Sequence, residues 1–286
     1  MKRVSGMSAI TVAGLYIYPV KGCRGIALQR SDVTRAGFAL DRRWMVVGED
    51  GKFLSQRSHP RLCLIQSRIE SGRFLLTRSG GEGAQELQLP FAWTEGPEAA
   101  VQVWRDPVCG IAFEPGSQFF SEFLGEKATL VYMPDKSLRG TNPQHSSPGD
   151  VVSFADAYPL LAVSLASLDE LNQRLPEASE ALPMERFRPN LVLQGTTPFE
   201  EDVFASARVD NVTFRRARLC ERCVVTTIDQ DTALAGREPL RTLARFRKWD
   251  GAVWFGSNWI PDGEGQLEVG STLEVLERAP ARTDEP

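Results

Sequence analysis

Short runs rich in β-branched and aromatic residues recur along almost the whole chain, and turn residues separate them. "TVAGLYIYPV", "RWMVVGEDGKFLS", "RFLLTRSGGEGAQELQLP" and "AAVQVWRDPVCGIAF" supply the first half, and "RPNLVLQG", "VTFRRARL", "CVVTTID", "AVWFGSNWI" and "STLEVLE" the second. Such spacing restricts the fold to β-sheets that pack or close on themselves. Asp50-Gly51 predicts one hairpin turn, and Gly80-Gly81 another in a longer loop. Alternation within the runs is imperfect, as in curved sheets that carry bulges.

Only a few stretches carry helical periodicity. "SQFFSEFLG" predicts a helix capped by Ser117 and stopped by Gly125, and "SLASLDELNQRLP" a second capped by Ser164. "EPLRTLARFRKW" predicts a shorter third. The expected class is therefore mainly β with a few helices (α+β). The strand content parts near residues 125–150, within the Pro-, Gly- and Ser-rich "MPDKSLRGTNPQHSSPGD". We expect a smaller N-terminal β-rich domain at 8–125, a second β-barrel domain at 126–276 and a disordered tail at 277–286.

The 286 residues carry a net charge of −4, which gives bulk charge no case for binding a nucleic-acid polymer. No apolar run reaches the length of a membrane helix, and "MKRVSGMSAITVAGLYIYPV" lacks a small-residue cleavage site and reads as strand and turn. Five cysteines, an odd number, do not suggest a disulfide framework, but suit a reducing cytoplasm.

Two of those cysteines form C-E-R-C at 220–223. A structural zinc site needs four ligands, commonly two such pairs, and only one pair is present. Redox dithiols usually open a helix, whereas "CVVTTID" reads as a strand. The third reading is a structural pair, two cysteines near a barrel wall. Arg215, Arg216, Arg218 and Arg222 crowd the motif, and three other basic clusters sit beside turns. These are Lys21 and Arg24 in "YPVKGCRG", Arg42 and Arg43 in "LDRRW", and Arg186 and Arg188 in "ERFRPN", with Asn190 next. Turn amides with Lys and Arg make anion sites. Together with the thiol they describe a pocket for an anionic ligand with a thiophilic centre.

The motifs "LYIYPVKGCRG", "ALDRRWMVV", "RFRPNLVL" and "LCERCVVTTIDQDT", in this order, resemble the MOSC proteins with an N-terminal MOSC-type β-barrel. That group includes the mitochondrial amidoxime-reducing components and their bacterial homologues. The resemblance runs from about residue 8 to residue 276 and includes the closing "WFGSNWIPDGEGQLEVGSTLEVL". It implies a molybdenum cofactor (Mo-molybdopterin) whose metal takes Cys223 as thiolate ligand, with Cys220 a neighbour. It also implies cofactor contacts from Lys21, Gly22, Arg42, Tyr158, Arg188, Asn190 and Arg222. The implied activity is reduction of small N-hydroxylated compounds by oxygen-atom transfer to molybdenum, with Asp229 a candidate proton donor.

No iron–sulfur cysteine run is present. A separate electron donor is therefore expected: a flavoprotein reductase, a ferredoxin or a small haem protein. The expected setting is the bacterial cytoplasm, without a membrane anchor. The alternative implied by the same resemblance is sulfur transfer or cofactor carriage, where pyridoxal phosphate would belong to a separate partner. The chain departs from the group at three positions: Gly22 where many have Ser, Gln230 where many have Pro, and Ala233 where Gly is frequent.

Overall fold

The computed structural model describes residues 9–78, 84–177 and 179–280. Its largest sheet has nine strands. Eight lie in the order Ile26–Leu28, Thr11–Ile17, Leu191–Gln194, Leu160–Ser164, Ala252–Asp262, Val212–Glu221, Phe204–Val209 and Leu273–Arg278, and Lys248–Trp249 pairs with Ala252–Asp262. The first strand also bonds the start of the last. Val12 N–H donates to Ser271 O (2.9 Å), and Leu273 N–H donates to Ile10 O (2.8 Å). These bonds close the sheet into a barrel, which leaves few unpaired edges. Leu160–Ser164, deep in the wall, is buried at every position, as a two-sided strand requires.

A second sheet joins Trp44–Val47, Thr129–Tyr132, Asp106–Ala112 and Glu98–Val103. Its core is aromatic, with Trp44 against Phe113 and Tyr132 at centroid separations of 5.6 and 4.9 Å. A helix, Glu114–Leu124, presses Phe119, Phe120 and Phe123 into this core. Each buried phenyl ring contributes roughly 1.5–3 kcal/mol. The helix begins before the expected Ser117, because Pro115 fits its first turn. Ser117 instead donates to the Phe113 carbonyl from inside the helix (3.0 Å). Gly125 ends it in the left-handed region, as expected (φ 77°).

Strand pairing crosses the midpoint of the chain. Thr11–Ile17 lies against Leu191–Gln194, and Arg30–Thr34 against Gly265–Glu268. The Asp50-Gly51 turn is present, with Gly48 N–H donating to Lys52 O (3.0 Å). Ser164 caps Leu165–Gln173 as expected, accepting from Ser167 N–H, and the third helix is Leu240–Leu243. Gly80-Gly81 lies outside the described residues.

Two further expectations need correction. The last strand runs to Arg278, past the expected start of the tail, because Phe204–Val209 gives it a partner. "CVVTTID" is not a strand: Val224–Thr227 forms a 3-10 turn, with Thr226 N–H and Oγ1 both bonded to the Cys223 carbonyl. Cys23 and Cys63 are packed thiols, whereas Cys109 is exposed on Asp106–Ala112.

Candidate functional site

One cavity of about 300 Å³ gathers the residues that the sequence singled out. Lys21, Gly22, Arg42, Tyr158, Arg188, Asn190, Arg222 and Cys223 all line it. They come from turns and strand ends of both halves of the chain.

The turn after Thr11–Ile17 delivers Lys21. Lys21 N–H donates to Trp44 O (2.8 Å), and Gly22 turns the chain at φ 90°, where a side chain would be strained. Gln56 Nε2 holds the Gly22 carbonyl (2.7 Å), and buried Gln230 exchanges amide bonds with Gln56 (3.3 and 3.2 Å). Two positions that depart from the group, Gly22 and Gln230, are therefore linked through Gln56.

Arg42 and Arg188 both sit in the left-handed region (φ 48° and 55°), strain that a surrounding network must hold. Both guanidinium groups stack on Tyr18, at 4.3 and 4.2 Å from its ring centre. Arg42 donates to both carboxylate oxygens of buried Asp41 (2.9 and 2.7 Å). Arg188 donates to the Cys23 carbonyl (2.8 Å). Asn190 lines the cavity, but its amide is used by the protein. Its oxygen accepts from Arg42 (3.1 Å) and Leu161 N–H (3.2 Å), and its nitrogen donates to Tyr16 O (3.1 Å). It positions Arg42.

Lys21 is buried, and its ammonium bonds the Phe154 carbonyl (2.8 Å) and Asp156. Burial pushes its pKa below the ordinary lysine value, Asp156 resists that shift, and Arg139 and Arg42 add to it. Desolvation would raise the Asp156 carboxyl, but Lys21, with Arg57 and Arg42, holds it down at about 2. Arg57 reaches the same carboxylate (3.4 Å). Arg57 and Asp156 carry no motif, and sequence reasoning missed both.

Register shifts between Arg216 and Arg218, and between Leu219 and Glu221, break strand alternation. Every residue from Arg218 to Cys223 consequently lines the cavity. Arg222 donates to the Phe187 carbonyl (2.7 Å) and to Cys220 Sγ (3.0 Å). Cys220 packs on the apolar cluster around Phe187 and Phe255. Among the described residues, no three His, Cys, Asp or Glu side chains gather as metal ligands.

Two buried donors at the cavity have no partner: Tyr158 Oη and Arg222 Nε. Burial raises the Tyr158 pKa, against the opposing pull of Arg218, so the hydroxyl keeps its proton to donate. Orphaned buried donors cost about 1–3 kcal/mol each, which a ligand acceptor would recover. The wall carries six cationic side chains (Lys21, Arg42, Arg57, Arg188, Arg218 and Arg222) against two carboxylates (Asp156 and Glu221). This donor set fits a polar, anionic ligand, and the Cys223 thiol beside it suits a soft metal.

Asp229 is a correction. It lies outside this cavity, in the wall of a neighbouring one. Its Oδ1 accepts from Asp231 N–H, Thr232 N–H and Thr232 Oγ1 (2.9–3.1 Å), and its Oδ2 pairs with Arg186 (3.3 Å). Desolvation opposes, but the Thr232 and Asp231 bonds and Arg186 prevail and lower its pKa. It is a turn-closing carboxylate, not a proton donor to the cavity.

Residues 9–127 match the MOSC N-terminal beta barrel domain and residues 149–274 the MOSC domain, so the chain belongs to the family of MOSC proteins with an N-terminal MOSC-type barrel. Among its relatives, mitochondrial amidoxime-reducing component 1 of Mus musculus is 30% identical over 93% of this chain and 82% of its own length. Mitochondrial amidoxime reducing component 2 of Rattus norvegicus is 32% identical over 92% and 82%. The molybdenum cofactor sulfurase of Oryza sativa subsp. japonica is 30% identical over 94% of this chain, which matches 35% of that protein.

Proposed function

We propose that the protein binds a molybdenum–pterin cofactor in this cavity and reduces small N-hydroxylated compounds such as amidoximes and hydroxylamines. The observation that carries this reading is the convergence of cationic side chains, two unpartnered buried donors and the Cys223 thiol on one cavity. The names of the amidoxime-reducing relatives support it.

Cys223 would be the metal's thiolate ligand. Lys21, Arg42 and Arg57 would neutralise the anionic end of the group. Tyr158 Oη, Arg222 Nε and Arg188 would bond its polar edges, and Asn190 would keep Arg42 in place. When bound, the cofactor supplies the two-electron chemistry. The net conversion is R–NHOH with two electrons and two protons to R–NH₂ and water. Asp156, held at about 2, has no proton to give at neutral pH. A separate donor supplies the electrons, and the five free cysteines suit a reducing bacterial cytoplasm. No helix among the described residues is long and apolar enough to cross a membrane.

A second reading, sulfur transfer, draws on Cys220 and Cys223 lining the same cavity and on the likeness to the rice sulfurase. One experiment separates the readings. Protein from a cofactor-competent host is analysed for molybdenum and assayed for benzamidoxime reduction with reduced methyl viologen, wild type beside Cys223→Ala. Near-stoichiometric metal and turnover, both dependent on Cys223, support the reductase. Metal without turnover supports a cofactor carrier. A persulfide lost in Cys223→Ala, with no molybdenum in either sample, supports sulfur transfer.

A further inference from the structure

The chain is acidic overall, yet one surface beside the cavity is basic and unpaired. Arg237, Arg241, Arg245 and Lys248 are exposed, and none forms an ion pair among the described residues. The arginines are four residues apart, around the short helix Leu240–Leu243. Arg241 N–H donates to the Arg237 carbonyl (3.1 Å), and Ala244 N–H to the Leu240 carbonyl (3.0 Å). Arg245 N–H donates to the Thr242 carbonyl (3.0 Å), so Arg241 and Arg245 follow each other across the last turn of the helix. These four cations face one carboxylate in this segment, Glu238, which forms no ion pair with them among the described residues. Asp231 pairs with Arg24, and Glu238 accepts from Thr242 N–H (3.0 Å).

This helix packs against the 3-10 turn Val224–Thr227, which starts one residue after Cys223. Arg186 ties the same elements, donating to Thr226 O (3.0 Å) and to Glu238 O (3.4 Å). Two large apolar side chains are exposed here, Val224 at 52% on the turn and Leu234 at 70% in the segment that joins the turn to the helix. An apolar contact point with a basic flank is the composition of a transient docking face. Surface charge of one sign steers an oppositely charged partner and accelerates encounter.

We infer that this face, formed by Arg237, Arg241, Arg245, Lys248, Val224 and Leu234, docks a small acidic one-electron carrier protein that reduces the site at Cys223. The inference rests on the reductase reading. Two reduced carriers each give up one electron, which completes the two-electron, two-proton conversion of R–NHOH to R–NH₂ and water. Docking here would bring the carrier's redox centre close to the cysteine, where electron transfer is short-range.

The test compares wild type with Arg237→Glu/Arg241→Glu/Arg245→Glu, three residues that do not line the cavity. The probes are an acidic [2Fe–2S] ferredoxin and an acidic flavodoxin. Binding of each oxidised carrier is titrated at low and at physiological salt. Turnover of benzamidoxime is measured with each reduced carrier and with reduced methyl viologen. The expected result is salt-sensitive carrier binding that weakens at least about tenfold in the variant, with a matching rise in KM for the carrier. Viologen-driven turnover should not change. Val224→Ser/Leu234→Ser should weaken binding without altering its salt slope. Equal binding of both carriers to wild type and charge-reversed protein, or none to either, would overturn the docking face. So would charge-dependent binding of a DNA duplex or of anionic vesicles in place of the carriers. Carrier binding that behaves as expected in a protein without viologen-driven turnover would uphold the face and sink the reductase reading.

Discussion

The Arg42 guanidinium donates to the backbone carbonyl of Arg188 (3.3 Å), joining residues 146 positions apart that both adopt positive φ. The contact runs between the two halves of the chain, and both residues line the cavity. Its strength depends on Asp41, which is buried and has Arg42 as its cation.

Removing Arg42 should accordingly cost more than a surface charge would. Arg42→Ala leaves the Asp41 carboxylate buried without its partner, a change that costs roughly 3–5 kcal/mol. Urea denaturation would measure this. A loss below about 1 kcal/mol would mean that Asp41 takes up a proton, as its burial favours, or finds another donor.

Tyr158→Phe should act in opposite directions on the empty and the loaded protein. It removes a buried hydroxyl that has no partner, so the ligand-free protein should gain about 1 kcal/mol or more. The same change should weaken retention of a polar ligand in the cavity. Thermal unfolding of ligand-free protein, beside metal retention after gel filtration, reads both effects. A lower midpoint without ligand would show that the hydroxyl already has a bond.

Asp156 gives the cavity an acid limit. Its carboxyl is held at about 2, below the ordinary value of 3.8, so the native state favours the ionised form. Its contribution is present above about pH 4 and is lost as pH falls through 2. The stability difference between wild type and Asp156→Asn should therefore shrink between pH 4 and pH 2. A difference that stays constant over this window would show that the carboxylate is not held by Lys21 and Arg57.

Ala233 has φ 59°, a conformation that strains any residue with a Cβ. Ala233→Gly, the residue frequent at this place in the group, should stabilise the protein by about 1 kcal/mol. Gly22→Ser should do the reverse, because Gly22 is at φ 90° and a Cβ there would meet Leu62 Cδ1 at 3.2 Å. Chemical denaturation of both variants is the check. Stability unchanged by Gly22→Ser would mean that the turn relaxes to accept a side chain.

Most of the cavity was legible because its residues sit beside strong local punctuation. Lys21 stands in a Gly-marked turn, Arg188 and Asn190 flank a proline, and Cys223 closes C-E-R-C. What was not legible depends on contacts distant in sequence. Arg57 and Asp156 have ordinary neighbours, and only folding brings them to Lys21. "VVTT" reads as strand because valine and threonine favour extended chain, yet two bonds to the Cys223 carbonyl wind it into a 3-10 turn. Asp229 stands six residues after Cys223, but that spacing carries no direction, and the turn that it closes aims it away from the cavity. Strand content and the helix ends at Ser164 and Gly125 followed from local rules. The pairing of the first strand with Leu191–Gln194 did not, since register over such a span has no local signature.

That pairing also sets a timetable. Gln194 Nε2 bonds Thr11 Oγ1 across 183 positions. A growing polypeptide therefore carries one edge of its first strand without a partner through most of its synthesis, while Ile26–Leu28 is available early to the other edge. The barrel can shut only after Leu191–Gln194, and finally Leu273–Arg278, have left the ribosome. Until then neither the arginine pair nor the cysteine is in place. The wall of the cavity is itself complete only once Asn258 has been made.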